Sequence, residues 1–252
     1  MRIAVVLYGQ PRNYLKGYDN IINFIKRQHG CEFDFFYHCW TLNENETYKH
    51  ATWRNIDKNE LSFKKEIPAE LHTLYNPVSY EIENQNNVTF DESLYINTLA
   101  FNNTKVELLY NINNILFQMY SRNKARNLLK TYLEKMGDTV HYDFIITLRF
   151  DISVMPQVLF HELNKSNVYI SNISYPRKII PDNCIIAPTN VFLQWFNIYD
   201  TIQELIDNKY LSEKIIKLNE ILAINAEELV FAKYIYHYEN TDNISYFQGG
   251  TI

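Results

Sequence analysis

An α/β fold built on a mainly parallel sheet is what this sequence predicts, on three observations. Apolar runs at Arg2–Tyr8, Phe33–Cys39 and Phe144–Leu148 lack the polar alternation of a half-exposed strand. An amphipathic stretch, Tyr14–Gln28, separates the first two runs, as a right-handed βαβ unit requires. Strand and helix patterns then alternate through the first two-thirds of the 252 residues.

Each element follows from local chemistry. Arg2–Tyr8 is the first strand, and Gly9-Gln10-Pro11-Arg12 is the turn that ends it. Asn13 is placed to cap the helix Tyr14–Gln28, with Leu15, Ile21, Ile22 and Ile25 as its inward stripe and Gly30 as its stop. The strand Phe33–Cys39 brings His38 and Trp40 to its C-terminal end, on one rim with Gly9 and Arg12. Asn43–Asn59 is polar and irregular. Pro68 starts a short helix to Tyr75, and Asn76-Pro77 breaks it before a strand over Val78–Glu83. Asn84–Asn97 is loop-like. The longest helical pattern covers Thr104 to Met136, as one helix or two meeting near Ser121, and Gly137 ends it. After the central strand come a weak short helix at Gln157–Leu163 and a strand at Val168–Ser171. Asp182–Pro188 is a strand, and Thr189 or Asn190 caps a helix running to about Asp207. Helices at Leu211–Ala223 and Ala226–Tyr238 and an edge strand at Ile244–Phe247 complete the chain.

Composition excludes several functions. A net charge of -5 lacks the basic footprint of a nucleic-acid binder. Only 6 glycines occur, with no G-x-G-x-x-G, Walker or kinase loop to cradle phosphates, and neither G-x-S-x-G nor H-E-x-x-H is present. Cys31, Cys39 and Cys184 have no zinc spacing and are expected as reduced thiols of a cytoplasmic protein. Met1 reads straight into a strand, so no signal peptide is expected, and no apolar run approaches the ~18–20 residues of a membrane span.

Chemistry concentrates at Tyr142–Val154. Arg149 and Asp151 stand two residues apart at the C-terminal end of the Phe144–Leu148 strand, where open α/β sheets bind ligands. A cation and a carboxylate there can hold a phosphate and a metal that bridges it; a structural Arg–Asp ion pair is the alternative.

Seven segments carry a resemblance: residues 5–12 (Val-Val-Leu-Tyr-Gly-Gln-Pro-Arg), 36–40 (Phe-Tyr-His-Cys-Trp), 74–77 (Leu-Tyr-Asn-Pro), 118–125 (Gln-Met-Tyr-Ser-Arg-Asn-Lys-Ala), 142–151, 182–188 (Asp-Asn-Cys-Ile-Ile-Ala-Pro) and 226–230 (Ala-Glu-Glu-Leu-Val). In this order the chain resembles the WavE-like glycosyltransferases of polysaccharide and lipopolysaccharide synthesis and their viral relatives. The resemblance implies a single Rossmann-like GT-A domain over 1–252, with a nucleotide-sugar-binding half at 1–155 and an acceptor-side half at 156–252. It also implies a nucleotide diphosphate sugar donor and Mn²⁺ or Mg²⁺. Arg149-Phe150-Asp151 occupies the place of the GT-A Asp-x-Asp metal motif, with Arg149 replacing the first Asp, so Asp151 is the expected metal ligand. Tyr8, Gly9 and Arg12 fall where the nucleoside and phosphates would lie, with His38 in the same pocket and Lys124 as a further phosphate contact. Glu228 or Asp182 is the expected base.

Structural alternatives accompany each residue: core or rim aromatics for Tyr8 and Trp40, a hydrogen-bonded core histidine for His38 and a solvated helix face for Arg122 and Lys124. Asp182 equally caps a turn, and Glu227 and Glu228 equally compensate a helix dipole. The expected activity is sugar transfer to a glycan, lipid-linked or protein acceptor. A non-catalytic sugar-nucleotide or glycan-binding module is the second hypothesis, and a different α/β transferase, disfavoured by the missing glycine loop, the third.

Overall fold

The computed structural model describes residues 1–44, 46, 66–91, 100–101, 104–105, 112–171, 183–207, 230, 233–234 and 244–247. Nine strands are described: β1 (Arg2–Gly9), β2 (Glu32–Thr41), β3 (Ser79–Asn84), β4 (Ala100–Phe101), β5 (Thr104–Lys105), β6 (Phe144–Arg149), β7 (Val168–Ser171), β8 (Cys184–Pro188) and β9 (Ile244–Phe247). The helices are α1 (Tyr14–Ile25), α2 (Ile67–Tyr75), α3 (Ile112–Met136), α4 (Thr189–Trp195) and α5 (Ile198–Asp207). Seven strands form one sheet in the order β3-β2-β1-β6-β8-β7-β9. β3, β2, β1 and β6 are parallel neighbours, β8 pairs antiparallel with β6 and β7, and β9 runs parallel to β7. Only β8 is therefore reversed within this sheet. This is the mainly parallel α/β sheet that the alternating pattern predicts, in the Rossmann-like arrangement that the resemblance implies.

Burial on both faces accounts for the unbroken apolar runs. Ala4, Val6 and Tyr8 of β1 pack in one core cluster with Leu116, Met119 and Phe192 from α3 and α4. Ile3, Val5 and Leu7 pack in the other, with Ile21 and Phe24 of α1 and Leu71 of α2. A strand sandwiched in this way needs apolar side chains at every position.

Local chemistry corrects several expectations. Asn13 does not cap α1 with its side chain. It takes a left-handed conformation at φ 46°, and its carbonyl accepts the Gly17 N–H at 3.0 Å. The inward face of α1 is Gly17, Ile21 and Phe24, at helical spacing, whereas Leu15 points to solvent. Thr104–Lys105 pairs with Ala100–Phe101 as a two-residue hairpin, and α3 begins at Ile112 and runs unbroken through Ser121. Of the short helix at Gln157–Leu163, only a 3-10 turn at Phe160–Glu162 forms. The pattern from Thr189 to Asp207 divides at Phe196-Asn197 into α4 and α5. The helices expected at Leu211–Ala223 and Ala226–Tyr238 lie almost wholly outside the described residues. Among the described residues no helix is long and apolar enough to cross a membrane.

α1 positions the chain that leaves β6. Gly17 lies against the backbone of Phe150, so close that a Cβ would stand 1.8 Å from its carbonyl oxygen. Asn20 Nδ2 donates to the carbonyls of Ile152 (2.9 Å) and Ser153 (3.1 Å). Gln28 bonds Val158 O through Nε2 at 2.8 Å and receives Phe160 N–H on Oε1 at 3.0 Å. The segment bearing Arg149 and Asp151 is thus strapped to α1. Gly17→Ala, innocuous in an isolated helix, should cost roughly 1–3 kcal/mol through overpacking against an immobile backbone. Thermal unfolding of this variant checks the contact; an unchanged or raised Tm would disprove it.

Candidate functional site

The C-terminal ends of β1, β2 and β6 form the rim. Register pairs Tyr8 with His38 on one side and Arg149 on the other, so these three side chains lie abreast on the sheet face covered by α3. Beyond Tyr8, Gly9 turns the chain at φ 102°, a conformation that favours glycine.

The amide of Gly9 leaves the sheet ladder and donates to Ser121 Oγ of α3 at 2.9 Å. The same hydroxyl stands 2.7 Å from His38 Nδ1, and His38 Nε2 stands 2.8 Å from Glu83 Oε2 on β3. An ionised Glu83 can only accept, so a neutral His38 donates Nε2–H to it, and the lone pair left on Nδ1 accepts the Ser121 hydroxyl hydrogen. Burial pushes His38 below the ordinary histidine pKa, outweighing the bond and charge of Glu83. The bond from His38 in turn holds Glu83 below the usual carboxylate value. A neutral imidazole beside an ionised glutamate satisfies both shifts. Although the order Ser–His–Glu matches a hydrolase relay, Ser121 is wholly buried and its oxygen already accepts an amide, so it is no exposed nucleophile.

Lys124, one turn along α3, bonds Glu81 Oε1 at 2.6 Å and lies 3.4 Å from Glu83 Oε2. Burial lowers its pKa, but the hydrogen bonds and charges of its neighbours outweigh burial and raise it. Tyr120 OH donates to Glu83 Oε1 at 3.2 Å, and its ring stacks on Trp40 with centroids 5.5 Å apart. Tyr199 of α5 meets Tyr120 edge-on. Trp40 is a core aromatic, and so is Tyr234, which packs on Trp195.

Arg149 forks onto Asp151, with Nε 2.9 Å from Oδ1 and Nη2 2.7 Å from Oδ2. Arg12, from the β1 turn, brings Nη2 within 3.4 Å of Asp151 Oδ2. Both guanidiniums meet this one carboxylate at the boundary between β1 and β6. Here the strand order reverses, since β2 and β3 lie on one side of β1 and β6 on the other. Both Asp151 oxygens are engaged by arginines, and no group of three His, Cys, Asp or Glu among the described residues could hold a metal ion. Among the described residues, Asp151 is therefore the one carboxylate of this cluster, and it is engaged by arginines.

The structure therefore brings Tyr8, Gly9, Arg12, His38, Lys124, Arg149 and Asp151 to one rim. Asp182 and Glu228 lie outside the described residues. Sequence reasoning missed Ser121 as the link between strands and helix and expected Arg122 on a solvated face, where it is in fact buried. The available signal was the polar run Ser121-Arg122-Asn123 inside an otherwise amphipathic helix.

No family model and no curated protein matches the chain. Among solved structures it is similar to the galactosyltransferase LgtC in complex with donor and acceptor sugar analogues. That match is 10% identical and covers 98% of this chain and 73% of the other, at a TM-score of 0.40. An active-site mutant of LgtC matches at 10% identity over 98% and 72% of the two chains, at a TM-score of 0.39.

The buried histidine sets a pH dependence. A folded pKa below the unfolded value of about 6.5 means that the unfolded chain binds more protons as pH falls. Stability is thus complete above that value and is lost as pH falls toward the folded pKa. The depressed Glu83 adds a second loss below its ordinary 4.5. Tm should fall between pH 7.5 and 5, and His38→Gln should flatten that part of the curve. An equally steep curve in the variant would place the proton elsewhere.

Proposed function

We propose that this chain is a glycosyltransferase whose donor, a nucleotide diphosphate sugar, lies across the β1/β6 boundary. The observation that carries this is the Arg12–Asp151–Arg149 cluster at the topological switch point, the crevice where open α/β sheets take ligands. Its guanidiniums meet the diphosphate, and Asp151 holds both of them in place. As the donor bond breaks, negative charge grows on the leaving diphosphate, and pre-oriented arginines stabilise it without reorganising. Tyr8 and Gly9 border the donor, Lys124 stands at the outer rim, and His38 acts through Ser121 by fixing the β1 turn. The resemblance to WavE-like enzymes of polysaccharide synthesis supports the same assignment. In that scheme residues 156–252 supply the acceptor side, and Glu228 or Asp182 deprotonates the acceptor hydroxyl. The arginines take the neutralising task that the resemblance gives to a metal.

A second reading, a sugar-nucleotide-binding module without turnover, is favoured by one observation: the replaced acidic residue leaves Asp151 occupied by Arg149. Release of free or transferred sugar from a panel of UDP-, GDP- and ADP-linked donors separates the two. Binding without any turnover, across acceptors of all three classes, would establish the module.

Two variants follow. Arg149→Lys keeps the charge but loses the fork to Asp151, and should weaken nucleoside diphosphate binding roughly tenfold. The same titration in EDTA and in Mn²⁺ reports on a metal, since an ion at Asp151 demands that Asp151→Asn abolish any gain from Mn²⁺. Glu228→Gln should cut kcat by about 10²–10⁴ with donor affinity retained, as befits a general base. Parallel loss of affinity would move that role to Asp182.

A further inference from the structure

Arg122 is a cation buried without a counter-ion. Its side chain is among the largest fully buried ones, at 2% exposure. Nε, Nη1 and Nη2 have no hydrogen-bond partner among the described residues. The guanidinium lies between two rings, with its carbon 5.0 Å from the centroid of Tyr8 and 5.0 Å from that of Phe196. Aromatic faces favour a cation, but they do not replace the hydrogen bonds that a guanidinium gives up on leaving water. A fork so placed is complete only when an anion reaches it.

Its location identifies the anion. Tyr8, the ring beneath it, is the register neighbour of Arg149. Ser121, the preceding residue, holds the Gly9 amide where β1 ends. Arg12 and Arg149 share Asp151 at the ends of β1 and β6, the crevice where the donor diphosphate is assigned. We infer that Arg122 is a built-in phosphate receptor, which receives diphosphate oxygens in the cleft and supplies from the chain a positive charge otherwise provided by a metal ion. This deepens the donor assignment above and rests on it. Entry needs one side of the sandwich to open. Phe196, in the break between α4 and α5, is the side not held in the sheet.

Inorganic pyrophosphate, titrated calorimetrically in EDTA, tests this without requiring turnover. Wild type should bind, and Arg122→Met should weaken binding roughly 10–100-fold, the loss of charge-assisted hydrogen bonds. Because removing an unpaired buried charge relieves the apo protein, the Tm of Arg122→Met without ligand should equal or exceed that of wild type. Equal pyrophosphate affinity in both proteins, binding only with added Mn²⁺, or a lowered apo Tm would each overturn the inference. Arg122→Lys, which keeps the charge, is the second variant. It should bind pyrophosphate less tightly through loss of the fork, and undiminished affinity again overturns the assignment. UDP and GDP run alongside distinguish a nucleotide site, which binds them more tightly than pyrophosphate, from a site that binds only the bare anion and overturns the donor role. Arg122-dependent pyrophosphate binding in a protein that turns over no donor refutes the transferase alone. Turnover with Arg122-independent binding refutes this inference alone.

Discussion

The amide of Gly9 is the constraint on which the rim depends. β1 ends at a residue with positive φ, and its last N–H, partly buried, finds its partner on α3. Leaving such a group unsatisfied costs about 1–3 kcal/mol. The Ser121 hydroxyl accepts it and passes its own hydrogen to His38, which donates to Glu83. One chain of hydrogen bonds thus locks the ends of β1, β2 and β3 to the middle of α3. Its polar members explain why a long helix packed on a sheet carries a serine where leucine would otherwise serve.

The two faces of the sheet divide the work. On the α1 face, contact is apolar and close, and Gly17 lets the helix rest on the Phe150 carbonyl. That face controls the direction in which the chain leaves β6. On the α3 face, Tyr8, His38 and Arg149 stand abreast beneath a helix bearing Ser121, Arg122 and Lys124. Rigid apolar packing on one side lets the other carry charges, since the strand ends cannot move away from them.

Legibility in the sequence followed the range of the interactions. Runs of apolar residues identify β1, β2 and β6 because burial on both faces leaves no room for polar side chains, and the βαβ opening follows from chirality. Strand direction is less accessible, and nothing in Cys-Ile-Ile-Ala-Pro distinguishes the reversed β8 from a parallel strand. Leu15 was expected inside because it is apolar, yet the stripe through Gly17, Ile21 and Phe24 turns it outward. The rim was legible residue by residue, at Arg12, His38 and Arg149, because strand ends are where ligands gather. Partnerships were not: that Glu83 would meet His38 and Arg122 would lie between two rings depends on how α3 sits across the sheet.

An arginine two residues before an aspartate changes what that aspartate can do. With an acidic residue in the first position, two carboxylates repel each other and a cation between them relieves the strain. With Arg149 there, the fork closes on Asp151, and Arg12 adds a second guanidinium from the β1 turn. The carboxylate becomes the element that orients two positive groups on planar frames. Positive charge at the strand ends is then intrinsic to the polypeptide and placed before any ligand arrives. Placement of that kind costs folding stability through crowded like charges, and the cost falls where the sheet is best packed to bear it.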